Sequence, residues 1–186
     1  MALFRKKKHT PIAEIEPQKD ENGRVILDMT VRDDSDFLSP FSKSKEPTIA
    51  SEVAEFLESR VDTLTPRDTA VLHIHSDCIE KDEEERYCRA IKAYYTEQYH
   101  ANRRQLRRNS ILAAILLALG ILTLAVMIVI DALIESMIWT EVIDIAAWVF
   151  LWEAVDLHIL EGHALRVRQR QILTLLSMEV SFFALD

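Results

Sequence analysis

Residues 110–130 have the sequence SILAAILLALGILTLAVMIVI, which contains no charged side chain. At about 1.5 Å of rise per residue, a helix of this length is about 30 Å long and matches the hydrocarbon core of a bilayer. Helices in soluble cores are seldom apolar on every side over such a length. The segment therefore predicts a transmembrane helix, which we assign to residues 110–134.

A second apolar segment, residues 137–163, follows a short connection that carries Asp131 and Glu135 and no basic residue. Acidic residues interrupt it, but its position directly after the first span favours a second span that returns across the bilayer. Four arginines precede the first span and three follow the second: Arg103, Arg104, Arg107, Arg108, Arg166, Arg168 and Arg170. These membrane-interface basic residues place both termini in the cytosol by the positive-inside rule.

Composition limits the functions that this chain can have. A net charge of −8 argues against a nucleic-acid partner. The two cysteines lie in the cytosolic part and are expected to be reduced thiols. Three glycines are too few for a phosphate-binding glycine loop, and no catalytic motif stands out. We therefore expect neither an enzyme nor a cofactor.

The part before the first span predicts a small cytosolic α+β domain, residues 24–109, after a disordered basic tail, residues 1–23. Apolar residues alternate over 25–31 and 70–75, which indicates two strands. Apolar residues at helical spacing predict a helix that begins near Thr48 or Ser51. In the loop before this helix, Phe37, Leu38 and Phe41 are expected to anchor the chain to the core. No Pro or Gly interrupts the chain from Glu80 to Gly120, so one long helix should enter the membrane.

The C-terminal tail, residues 164–186, completes the predicted fold. Two strands alone make a marginal sheet, and a partner strand is needed. Met178, Val180 and Phe182 alternate with polar residues, which favours a helix to about Leu176 and then a short strand. A helix throughout is the alternative. The predicted fold is an α+β membrane protein: a transmembrane hairpin whose first span continues a cytosolic helix, and a sheet of two or three strands.

The second span contains the main candidate site, an intramembrane polar cluster. On a helical wheel its members share one face or flank it: Glu141, Asp144, Trp148, Trp152, Glu153, Asp156 and His163. Ionisable groups are costly inside a bilayer and usually face protein or water. Three interpretations are open. In the first, several copies assemble and this face lines a polar pathway. In the second, the acids bond to neighbours on the helix or pair with the arginines before the first span. In the third, Glu153, Asp156 and His163 bind a metal.

His73, His75 and Cys78 form a second candidate, a zinc site at the end of the second predicted strand. Two histidines at positions i and i+2 share a strand face, and a cysteine just beyond them could complete the ligand set. The spacing matches no standard zinc motif. Exposed histidines and a packed cysteine are the favoured interpretation.

The segment Trp148-Val149-Phe150-Leu151-Trp152-Glu153-Ala154-Val155-Asp156, with the basic segment after it, resembles a signature of uncharacterised bacterial membrane proteins. The cytosolic part is similar to theirs at residues 39–41, 51–57 and 73–77. The resemblance implies a bacterial inner-membrane protein with two spans and no assigned activity. We expect an oligomeric scaffold or membrane-effector module with a cytosolic protein partner. An oligomeric channel lined by the acidic face is the alternative.

Overall fold

The computed structural model describes residues 18–35, 37–42, 46–65, 68–133 and 137–185, and for residues 137–140 the backbone only. The predicted tail over residues 1–17 lies outside this range. The chain is α+β, and its elements in order are β1 (Val25–Thr30), α1 (Ser51–Val61), β2 (Ala70–His75), α2 (Glu84–Leu133), α3 (Met137–Val155), a π-helical segment (Asp156–Glu161), α4 (Gly162–Ser177) and β3 (Glu179–Phe183).

The three strands form one parallel sheet in the order β1-β2-β3. Leu27 pairs with Leu72, which pairs with Val180, so the apolar positions of all three strands fall on the same face. The strand expected after the last helix is confirmed. Because β2 and β3 are adjacent and parallel, the chain must run back from the end of β2 to the end of the sheet at which β3 begins. The whole helical hairpin makes that connection.

The core lies on the face of the sheet that the helices cover. Tyr87 and Tyr95 of α2 are its largest buried side chains, and Ile172 and Leu175 join it from α4. Phe37 is buried as expected and meets the Tyr87 ring edge-on, with 4.9 Å between centroids. The expectation for Phe41 is wrong, because its side chain is 95% exposed.

Helix α2 is continuous from the core to the end of the apolar segment, as the absence of Pro and Gly before Gly120 indicates. Its 50 residues extend over about 75 Å. It begins at Glu84, after a turn over residues 80–83 in which Glu83 N–H donates to Glu80 O. Among the described helices, α2 alone is long and apolar enough to cross a membrane, and its most apolar window has a mean hydropathy of 3.0.

Helices α3 and α4 return antiparallel along α2. Gly120 of α2 meets Leu151 of α3, and nearer the sheet Asn102 meets Leu165 of α4. The α2 positions turned toward these helices are 102, 106, 109, 113, 116, 120, 123 and 127. Steps of four and three alternate along this series, which is the spacing of coiled-coil packing. Ala114, Ala118 and Ala125, which form a face of small residues on α2, lie outside this series and are exposed.

The π-helical segment keeps the returning helices in phase with α2. Turned toward α2 are positions 147, 150, 154 and 157, and then 162, 165, 169 and 172. The step from 157 to 162 is five residues, where regular packing gives four. A π-helical turn accommodates one extra residue in this way. The helical wheel drawn at 100° per residue is therefore wrong beyond Asp156, and it cannot place His163.

Gly120 lies at a close approach of α2 to α3 and gives a direct test of their packing. A Cβ at this position would lie 2.8 Å from Leu151 Cδ2. We expect Gly120→Leu to force α2 and α3 apart and to cost about 1–3 kcal/mol, as overpacking does. Thermal unfolding in detergent measures this cost. Ala118→Leu, at an exposed position two residues away, is the control, and equal melting temperatures for the two variants would contradict the packing.

Residues 18–23 form a turn against β1, although the sequence suggested a disordered tail to residue 23. The Asp20 carboxylate accepts from the Asn22 and Arg24 backbone N–H groups, and Gly23 has a φ of 76°. Arg24 also donates to Glu179 of β3 at 2.7 Å. The start of the described chain is thus connected to the strand at its end.

Candidate functional site

Trp148 and Trp152 stand on the side of α3 that faces away from α2. Their side chains are 63% and 65% exposed, one helical turn apart. With Ile145, Val149 and Glu153 they line a shallow groove of about 360 Å³. Because α2 covers the opposite side of α3, this groove is open to whatever surrounds the hairpin.

The carboxylates of the predicted polar cluster lack partners within the described part of the chain. Glu141, Asp144, Glu153 and Asp156 make no hydrogen bond or ion pair with a described residue. Glu141 and Glu153 are exposed, and Asp144 and Asp156 are half-buried. The expected pairing of these acids with the arginines of α2 is therefore absent from the described residues. Among those residues, no group of three or more His, Cys, Asp or Glu side chains is arranged to hold a metal ion.

Two asparagines hold the register of the paired helices just before the apolar segment of α2 begins. Both are buried on the side of α2 that faces α4. Asn109 Nδ2 donates to Glu161 Oε2 at 2.7 Å, and Asn102 Nδ2 donates to the Leu165 carbonyl at 2.9 Å. A buried amide at one position of a helix pair fixes register because any slip leaves it unpaired. The sequence analysis missed both residues, although steps of four and three connect them to Ala113 and Gly120.

The Asn109–Glu161 pair is the stronger of the two contacts because its acceptor is a carboxylate rather than a peptide carbonyl. We expect Asn109→Leu to cost about 1.5–3 kcal/mol, since Glu161 then loses its described donor. A double-mutant cycle with Glu161→Gln, followed by thermal unfolding, isolates the coupling between the two side chains. Ser110→Leu changes the adjacent exposed residue and controls for added apolar surface. A coupling energy near zero would contradict the proposal that this contact holds the register of the helices.

The seven predicted interface arginines are spread over about three turns of the helix pair, with those of α4 nearer the sheet than those of α2. The contacts Asn109–Glu161 and Asn102–Leu165 align residues 102–109 of α2 with the first turns of α4. All seven side chains are exposed. Arg168 approaches Glu58 of α1 at 3.8 Å, and the other six form no ion pair with a described residue.

The structure separates the three residues of the predicted zinc site. His73 and His75 lie on the sheet face opposite the core, where Asp28 Oδ1 is 3.7 Å from His73 Nδ1 and 3.3 Å from His75 Nε2. Cys78 instead packs against the core, and its Sγ lies 3.0 Å from Ser76 Oγ. The cysteine is packed as the favoured interpretation expects, but the two histidines are half-buried against the Phe183 ring rather than exposed.

Comparison with protein-family models, with curated proteins and with solved structures found no match to this chain.

Proposed function

We propose that this chain is a non-enzymatic, oligomeric membrane scaffold or effector module with two spans and a cytosolic partner-binding domain. The proposal is carried by the outward face of α3, where acidic and tryptophan side chains lack partners within the described chain. The first span is α2 from about residue 110, and the second is α3 with the π-helical segment. The resemblance at residues 148–156 favours the bacterial inner membrane.

The acidic face supports an oligomer rather than a single hairpin. A charged carboxylate at the centre of a bilayer costs about 2.5–3.5 kcal/mol on insertion scales. Within one copy, α2 covers the other side of α3 and supplies no described partner for these acids. A second copy supplies both protein surface and hydrogen-bond donors, including the indole N–H groups of Trp148 and Trp152. Association therefore lowers the cost of placing this helix in lipid.

The position of the hairpin within the sheet supports a scaffold whose membrane and cytosolic parts act together. The hairpin connects β2 to β3, so the sheet is complete only when both long helices are in place. A change in helix packing is thereby transmitted to the strands. Phe41 is 95% exposed in the loop before α1, and we propose it as a contact for the cytosolic partner.

Native mass spectrometry in nanodiscs tests the oligomer. We expect the wild type to be released as a multimer, and Trp148→Ala with Trp152→Ala to shift it toward monomer. The matched control is Ile128→Ala with Val129→Ala on α2, whose side chains are 65% and 57% exposed. This control should leave the multimer intact. Release of the wild type as monomer alone would overturn the oligomer.

An oligomeric channel is the alternative function, favoured by the exposure of Glu141 and Glu153 on the same helix. In that case the acidic face lines a cation pathway between copies. Liposome flux assays with the wild type and with Glu153→Gln plus Asp156→Asn decide the matter. Cation flux that falls in the double variant supports the channel. Absence of flux, or flux that both substitutions leave unchanged, would exclude it.

A further inference from the structure

We propose that the exposed arginines at the cytosolic end of the helix pair form a binding collar for anionic phospholipids. The inference rests on the proposed membrane function and names a ligand for the interface residues. The collar consists of Arg103, Arg104, Arg107, Arg108, Arg166 and Arg170. Arg168 is left out because it approaches Glu58.

The spacing of these arginines suits phosphate groups. Arg103 and Arg107, Arg104 and Arg108, and Arg166 and Arg170 are three pairs with an i, i+4 separation. Side chains at this spacing lie on the same face of a helix, about one turn apart. Two guanidinium groups so placed provide forked donors for the oxygens of one phosphate. Each pair therefore matches one anionic headgroup.

The absence of ion pairs also distinguishes this collar from the two arginines at the start of α2. The chain has 30 acidic and 22 basic residues, so partners are abundant. In the first turns of α2, Arg86 lies 3.9 Å from Glu83 and Arg89 lies 3.8 Å from Glu85. The six collar arginines have no such neighbour among the described residues. Their charge is available to an external anion.

The surface next to the collar points to a lipid rather than to free phosphate. Ile111 and Leu112 follow the arginines of α2, and Ile159 and Leu160 precede those of α4. All four side chains are exposed apolar surface. A phospholipid places an acyl chain on this surface and its phosphate on the arginines, whereas inorganic phosphate gains nothing from it. The collar thus matches both ends of an anionic lipid.

The test measures which of two lipids the protein retains when it is released from a mixed bilayer. The wild type and its variants are reconstituted in nanodiscs with equal phosphatidylglycerol and phosphatidylcholine, and the lipids that stay bound are counted by native mass spectrometry. We expect phosphatidylglycerol to be enriched in the wild type. Arg104→Gln with Arg108→Gln should reduce the enrichment, by up to about fivefold for each guanidinium removed. Arg86→Gln with Arg89→Gln, in which both arginines lie near carboxylates, should leave it unchanged.

Three further outcomes distinguish failure of the collar from failure of the proposed membrane function. Equal retention of both lipids by an embedded wild type would overturn the collar alone. Loss of the enrichment on addition of millimolar inorganic phosphate at constant ionic strength would also overturn it, because the site would then bind phosphate rather than lipid. A wild type that is washed from membranes by alkaline carbonate would overturn the membrane function and the collar together.

Discussion

Removal of residues 179–186 is expected to unfold the domain built on the sheet while leaving the helical hairpin intact. β3 contributes Val180 and Phe182 to the core and pairs with β2 along Glu179–Phe183. Its loss leaves two parallel strands, and a sheet this small has little independent stability. Limited trypsin digestion of membrane vesicles measures the effect. We expect rapid cleavage between β1 and β2 in the truncated chain and resistance in the wild type.

Single substitutions in β3 separate the loss of the strand from the loss of chain length. Phe182→Asp places a carboxylate against the core and should reproduce the sensitivity of the truncation. Ser181→Asp changes the neighbouring residue, which lies on the opposite face of the strand, and should stay resistant. Equal digestion of the two variants, or a resistant truncated chain, would contradict the role of β3.

Tyr95→Ala is the point substitution with the largest expected cost. The Tyr95 side chain is fully buried between α2 and α1, and its hydroxyl donates to the Ala54 carbonyl at 3.3 Å. Deleting a buried ring costs about 3–5 kcal/mol. Thermal unfolding followed by near-ultraviolet circular dichroism should show a loss of tertiary structure more than about 10 °C below the wild type. Tyr94→Ala, at the adjacent half-buried ring, should cost much less.

The alkaline limit of stability gives a second measurement of the same residue. Burial raises the pKa of the Tyr95 phenol, and the carboxylate of Glu58 adds to the shift. The folded state therefore favours the neutral phenol. Its stability is fully present below the ordinary tyrosine pKa, near 10, and is lost as the pH rises above that value. Burial also raises the pKa of Tyr87. Tyr95→Phe should therefore weaken the alkaline loss without abolishing it, and an unchanged pH profile would contradict this account.

Most of the elements could be predicted from the sequence because their signals are local. The alternation at Val25, Leu27 and Met29 predicts a strand wherever it is placed, and the lack of Pro and Gly before Gly120 predicts a continuous helix. The third strand was predicted in the same way, from the alternation at Val180 and Phe182. All of these elements are confirmed.

What the sequence analysis missed depends on how elements meet. Nothing local shows that the strands are parallel or that the hairpin connects β2 to β3. The π-helical segment was missed because a helical wheel assumes one constant angle per residue. For the candidate site, the wheel placed Trp148 and Trp152 together on one face. It could not indicate that this face turns away from α2, nor that Asn109 contacts Glu161, because both facts depend on the partner helix.

The central claim is that the hairpin crosses the membrane twice and leaves both ends of the chain on the cytosolic side. Single-cysteine variants in a background with Cys78→Ser and Cys88→Ala test it most directly. Asn22→Cys, Leu133→Cys and Ala184→Cys mark the two ends and the tip of the hairpin, all at exposed positions. In intact cells, a membrane-impermeant maleimide should label only Leu133→Cys, and the other two should react after permeabilisation. Labelling of Ala184→Cys in intact cells would mean a single span and would contradict the account.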